Sequence, residues 1–284
     1  MEISQEDLYS LYQTFQKVSV YDFSNYAYKS FLRRIEKVLT DNHLTIKELI
    51  KNLNKDYNYL QSIVNQITVN TTELFRDPDV WIAINKILFK KYFTKKHINI
   101  WHAGCSSGLE VYSMLILLDR LSMLDQVDIF GTDINEEMLD VAQSGRYRHV
   151  DMQDCLSNFN KVMNPEGTDE NLRVNYSHFI HETSQRDYVQ MSEHLTEKPL
   201  FLKHNLLSCQ TFINKQFDII MCRNVLIYFD HDLQNRIINF FYNNLVEGGL
   251  LIFGKQEGIY GNSVTGFEKV DNMYIKRESK RIQM

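Results

Sequence analysis

All eleven glycines of this 284-residue chain lie beyond residue 103, and Pro78 is the only proline in the first hundred residues. Glycine and proline build tight turns and hairpins, so a hundred-residue stretch nearly without them favours helices. Apolar spacing agrees. Tyr28, Phe31, Leu32, Ile35 and Leu39 recur at three- and four-residue intervals, as do Ile46, Leu49, Ile50 and Leu53, and then Leu60, Val64 and Ile67. The spacing predicts three or four helices before residue 71, forming a helical N-terminal domain over residues 1–70.

The pattern changes at Ile98. Four short apolar runs, INIWHAG, VDIFGTD, FDIIMCRN and LLIFG, follow one another. The first three are followed by stretches of helical periodicity: LEVYSMLILLDRL, NEEMLDVAQ and DLQNRIINFFYNNL. Strands that alternate with helices imply an α/β fold with a parallel sheet covered on both faces. The alternation is interrupted over about 150–199, where PEGTDEN marks a turn, so an inserted subdomain is expected there.

Composition narrows the function classes. The hydrophobic share of 44% and charged share of 24% are those of a globular chain. A net charge of −5 speaks against a general nucleic-acid binder. Cys105, Cys155, Cys209 and Cys222 are widely spaced without a C-x-x-C, so neither a disulfide scaffold nor a metal site is expected, and a reducing cytoplasm suits the chain. The acidic start MEISQEDLYSLYQ is no signal peptide, and no apolar run approaches the ~18 residues of a membrane span.

The first strand runs into His102-Ala103-Gly104-Cys105-Ser106-Ser107-Gly108. A small-residue turn between strand and helix lets a ligand approach the backbone and the helix N-terminus, though it can equally be a plain connection. The second strand ends in Asp133, where an acid can hold a ribose hydroxyl pair or cap the helix expected from about Glu136. The turn reads G-x-x-x-G, without the dinucleotide fingerprint and without a phosphate-loop lysine. S-adenosylmethionine fits this combination better than NAD or a nucleoside triphosphate.

Five blocks in matching order resemble the chemotaxis receptor methyltransferases of the CheR type. They are NTTELFRD at 70–77, IWHAGCSSGLEVYS at 100–113, FGTDIN at 130–135, FDIIMCRNVLIYFD at 217–230 and LVEGGLLIFG at 245–254, with Gly145-Arg146-Tyr147 at the position of a family G-x-Y. The resemblance implies a Rossmann-like class I methyltransferase domain over 71–284, with a small β-subdomain inserted, preceded by the helical domain. It implies methyl transfer from S-adenosylmethionine to glutamate side chains of a chemoreceptor; with no plausible ligand cluster in the sequence, no metal is expected. By motif match, the cofactor positions are Asn70, Thr72, Arg76, Gly104, Glu110, Asp133, Asn205, Leu206, Asn224 and Val225, and Arg76 and Tyr228 fall where the family places its chemistry. The chain departs from the family's Gly-Glu-Glu-Pro-Tyr-Ser, which here reads Gly108-Leu109-Glu110-Val111-Tyr112-Ser113. The insertion also lacks a glycine-rich hairpin turn, so docking on a receptor tail peptide is not implied.

A glutamate side chain, with an unperturbed pKa of ~4.3, is already a nucleophile at neutral pH. No general base is required, and none of the usual nucleophile–base pairs is present. Arg76 can hold a substrate carboxylate by one oxygen, or pair with Asp77 or Asp79. Tyr228 can direct its hydroxyl at the reacting groups, or pack with Ile227 and Phe229. Lys29, Arg33 and Lys37, with Arg34 beside them, share one helix face that can dock glutamate-rich receptor helices or simply face solvent. A monomer is expected. The competing readings are a methyltransferase of the same fold acting on another protein, and a non-catalytic S-adenosylmethionine-binding signalling module.

Overall fold

A computed structural model describes residues 3–19, 21–68, 71–152, 154–260, 266–271 and 273–277. Four helices come first: α1 (Gln5–Val18), α2 (Tyr28–Asp41), α3 (Ile46–Leu53) and α4 (Tyr57–Ile67). Ser4 with Asp7 and Thr45 with Glu48 form capping boxes at the starts of α1 and α3, and Asp56 caps α4. Their apolar stripes meet in one core that includes Leu11, Phe15, Phe31, Ile35, Leu49, Ile63 and Val64.

The rest of the chain alternates as expected. After α5 (Pro78–Ile87) come β1 (Ile98–Ala103), α6 (Leu109–Arg120), β2 (Val127–Asp133) and α7 (Glu136–Ser144). Next come β3 (Arg146–Arg148), α8 (Cys155–Met163), β4 (Ile180–Glu182), β5 (Tyr188–Met191) and α9 (Glu193–Thr196). The chain then runs through β6 (Pro199–Lys203), β7 (Phe217–Cys222), α10 (His231–Asn244), β8 (Leu245–Phe253), β9 (Phe267–Val270) and β10 (Met273–Lys276).

The main sheet has the order β6-β2-β1-β7-β8-β10-β9. Its first five strands are parallel, whereas β10 runs antiparallel to both β8 and β9. The antiparallel edge differs from the all-parallel expectation, and its cause is local. Residues 254–266 hold no described helix to carry the chain across the sheet, and β9 and β10 are joined by a turn too short for a crossover. β3, β5 and β4 form a separate antiparallel sheet between α7 and β6.

Both faces of the main sheet are covered. One core joins α5, α6, α8 and the small sheet, and the other joins β7 and β8 to α10 around the fully buried Trp101. Nine of the twelve residues of α6 are buried, as befits a helix enclosed on several sides. This is the Rossmann-like class I arrangement. Among the described residues, no helix is long and apolar enough to cross a membrane.

Candidate functional site: a cavity at the carboxyl edge of the sheet

The ends of β1, β2 and β7 open into a cavity of about 1010 Å³, counting its open mouth. Open α/β sheets place their ligands at this edge. Gly104, Glu110, Asp133, Thr72, Arg76, Asn205, Leu206, Asn224, Val225 and Tyr228 all line it. The sequence therefore named ten residues that the fold brings into one space. Asn70 lies outside the described residues.

The first wall is the turn after β1. Gly104 (φ 75°) and Gly108 (φ 81°) both occupy the left-handed region, and a Cβ on Gly104 would meet a Val225 methyl at 2.5 Å. Any side chain at 104 would therefore collide with Val225 in a backbone conformation that already favours glycine. The Gly104 and Cys105 amides donate to the Thr132 carbonyl at 2.7 and 2.9 Å, which ties the turn to β2. The Tyr147 hydroxyl donates to the Ser107 carbonyl at 2.6 Å, so β3 braces the same turn. That contact gives the Gly145-Arg146-Tyr147 motif a physical role.

Asp133 forms the second wall. Its carboxylate accepts from the Ser106 amide at 2.8 Å and the Asn135 amide at 2.9 Å. Burial raises its pKa above the ordinary aspartate value, against the opposing pull of these donors. It does not cap α7, because that part belongs to Asn135, whose side chain accepts from the Met138 amide at 3.2 Å. The Ile134 amide also donates to the Asp133 carboxylate, which lines the cavity at the end of β2.

Arg76 sits between two non-glycine residues in the left-handed region, Phe75 (φ 53°) and Asp77 (φ 57°). Its carbonyl accepts from Trp81 Nε1 and from the Arg223 guanidinium, each at 3.0 Å, which fixes the backbone while the side chain reaches the cavity. Its guanidinium donates to the Thr71 carbonyl at 3.2 Å. Among the described residues it pairs with no carboxylate. Asp77 pairs with Arg223 and Lys255 instead, and Asp79 with Lys255.

Arg223 is the residue whose importance spacing alone did not reveal. Its side chain is only 1% exposed, and it donates to Glu110 at 3.0 Å and to Asp77 at 2.8 Å. Glu110 also meets His102 Nδ1 at 3.1 Å. Burial pushes the Glu110 carboxyl up, but His102 and Arg223 outweigh it and hold the pKa below the usual glutamate value. Glu257 was likewise not singled out. Its carboxylate accepts from the amides of Asn224, Val225, Leu226 and Gly254 at 2.5–2.9 Å, which sets the loop after β7, including Asn224 in the left-handed region (φ 60°). Burial raises its pKa.

The helical region closes the cavity. Tyr26, Ile67 and Thr68 line it, and burial raises the Tyr26 phenol pKa. The Ala27 amide donates to the Tyr228 carbonyl at 2.9 Å, and Tyr26 and Phe229 pair as a β-bridge. On α2, Lys29, Arg33 and Lys37 are exposed and Arg34 is half-buried. Lys37 also pairs with Asp41 at 2.7 Å. Among the described residues, the one His/Cys/Asp/Glu trio with metal-ligand spacing is Asp119, His178 and His194, and none of these lines the cavity.

Residues 70–275 match the family model described as CheR methyltransferase, SAM binding domain. The "Putative methyltransferase Cher3" of Pseudomonas putida is 34% identical over 240 residues, covering 84% of each chain. The "Chemotaxis protein methyltransferase" of Listeria innocua is 29% identical, covering 90% of this chain and 91% of its own. The "Chemotaxis protein methyltransferase 1" of Vibrio cholerae is 30% identical, covering 76% of this chain and 74% of its own. The match spans the glycine turn, Asp133, the Arg223 loop and Glu257 alike, and the chain belongs to the CheR family of S-adenosylmethionine-dependent methyltransferases.

Proposed function

We propose that the chain transfers a methyl group from S-adenosylmethionine to glutamate side chains of chemotaxis receptors in the cytoplasm, acting as a monomer. The observation that carries this reading is that Gly104, Asp133, Arg76 and Tyr228 share one cavity at the sheet's carboxyl edge. The site also suits S-adenosylmethionine itself. Gly104 lines the cavity with bare backbone, Asp133 lines it as a carboxylate acceptor suited to ribose hydroxyls, and Val225 and Leu206 supply apolar surface. When bound, the cofactor supplies a methyl group on a sulfonium cation.

The protein's own part in this mechanism is alignment and dehydration. The Arg76 guanidinium, free of any carboxylate among the described residues, holds one oxygen of the substrate glutamate and leaves the other to attack. Tyr228 presents its ring and hydroxyl at the same edge. Tyr26 and Phe229 line the cavity, and displacement of water from it by bound cofactor and substrate favours a step that joins opposite charges and yields neutral products. No side chain has to remove a proton, because the carboxylate enters ionised.

The helical region 1–70 is the docking unit in this reading. Its basic face begins at Lys29, two residues after Ala27, whose amide binds the Tyr228 carbonyl at the cavity. Glutamate-rich receptor helices complement that face. The test is transfer of labelled methyl from S-adenosylmethionine to chemoreceptor-bearing membranes, followed by mild base. Label on the receptor that base releases as methanol is the expected result. Base-stable label, or transfer only to other proteins, would contradict the glutamate assignment.

A further inference from the structure

At the opposite end of α6 from the cavity, three metal-ligating side chains converge. Asp119 stands one residue before the end of α6, His178 ends the short turn Tyr176–His178, and His194 lies on α9. The Asp119 carboxylate oxygens lie 3.9 Å from His178 Nε2 and 3.8 Å from His194 Nε2. One ligand atom from each residue can be chosen so that all three fall within 4.8 Å of one another.

These separations exceed the ~3.2 Å of a good hydrogen bond, so the trio is not explained as a hydrogen-bonded cluster. They are close to the ~3.4 Å between two ligands held ~2.0–2.1 Å from a shared tetrahedral ion. Among the described residues, no lysine or arginine reaches Asp119 within ion-pair distance, so its charge faces the two imidazoles alone.

The scaffold is built in advance. The Ser192 hydroxyl donates to the His178 carbonyl at 2.7 Å, and the Ser192 amide donates to the Phe179 carbonyl at 2.8 Å, which fixes the His178 turn against the start of α9. The buried Phe179 ring contacts both imidazoles, at centroid distances of 4.9 and 6.4 Å, and the two imidazoles are 5.6 Å apart.

We propose that Asp119, His178 and His194 bind a zinc-like divalent cation, with water in the fourth position. Two imidazoles with one carboxylate favour a borderline transition ion over calcium or magnesium. The ion joins α6 of the main domain to the segment that carries β4, β5 and α9. It acts as a structural clasp, because Asp119 is nine residues beyond Glu110 along α6, ~14 Å from the cavity.

The test uses the tag-free full chain, stripped with a chelator and titrated calorimetrically with zinc ions. Cobalt(II) serves as a spectroscopic probe. We expect one ion per chain, a rise in melting temperature with zinc, and ligand-field absorption of a tetrahedral cobalt site. The double variant His178→Ala/His194→Ala, and separately Asp119→Asn, should lose more than about 100-fold in affinity, beyond what loss of a supporting group costs. His149→Ala, an exposed histidine elsewhere, should bind as the parent does. Circular dichroism confirms that each variant is folded. Absence of stoichiometric binding by the parent chain, or binding retained by the double variant, would overturn the proposal.

Discussion

Two groups of charges flank the proposed chemistry and behave in opposite ways. Arg223 is enclosed, with two carboxylates and a backbone carbonyl around its guanidinium. Lys29 and Arg33 on α2 stand in solvent, and Lys37 has only an exposed partner in Asp41. Desolvation makes the buried group expensive to disturb, so it holds the Arg76 segment and the helix start at Glu110 in fixed relation. The exposed group contributes little to folding and remains available to a partner. Geometry is set by the first group, and in the proposed function recognition is left to the second.

The largest expected effect comes from removing the buried cation. Arg223→Met leaves Glu110 and Asp77 without their shared partner and should lower the unfolding free energy by about 3–5 kcal/mol. Urea denaturation measures this, and a loss under about 1 kcal/mol would place Arg223 with the surface pairs.

Asp133→Ala should weaken S-adenosylhomocysteine binding by about 1–3 kcal/mol. Asn135→Ala, which removes the α7 cap, should cost about 1 kcal/mol of stability and leave affinity intact. Parallel melting and calorimetric titration separate the two.

Acid sharpens the contrast further. The Glu110 pKa is lower in the fold than in the open chain, so its stabilising contribution is complete above the ordinary value of ~4.3 and is lost as pH falls through the folded value. Asp133 has its pKa raised, so it takes up a proton above the ordinary ~3.9. Cofactor affinity should therefore decline on acidification before Glu110 releases the fold. Binding and circular dichroism followed over the same pH series check this order.

The smallest effect on the protein itself belongs to the exposed face. Replacing Lys29, Arg33 and Lys37 with glutamate should change stability by no more than about 0.5 kcal/mol and leave cofactor affinity unchanged. Receptor methylation at low ionic strength should fall, and the difference should shrink as salt screens the charges. Parental methylation rates at low salt would break the comparison.

What was legible in the sequence follows the same division between local and distant. The strands and helices of the α/β part announce themselves by period, and Gly104 and Asp133 by their places at strand ends. Glu257 could not be found that way. It reaches back 33 residues to the Asn224 amide and depends on Gly254, where a Cβ would meet its carboxylate at 2.7 Å. Arg223 sat in plain view inside CRNVLIYFD, but its partners Glu110 and Asp77 lie 113 and 146 residues away. Tyr26 reads as an ordinary helix-region aromatic until the fold sets it beside Asp133 and Tyr228. The β9–β10 edge is likewise a pairing decision between segments too short to carry a period.

The central claim is that Arg76 and Tyr228 act on the substrate in a cavity that others build. Single-turnover methyl transfer to receptor membranes, measured alongside S-adenosylhomocysteine affinity, tests it in two conservative variants. Arg76→Lys keeps the charge and loses the planar fork, and Tyr228→Phe keeps the ring and loses the hydroxyl. We expect both proteins to fold and to bind S-adenosylhomocysteine, with methyl transfer slowed tenfold or more, about 1.4 kcal/mol in barrier height. Near-parental transfer rates in both variants would contradict the claim and reassign the two residues to packing.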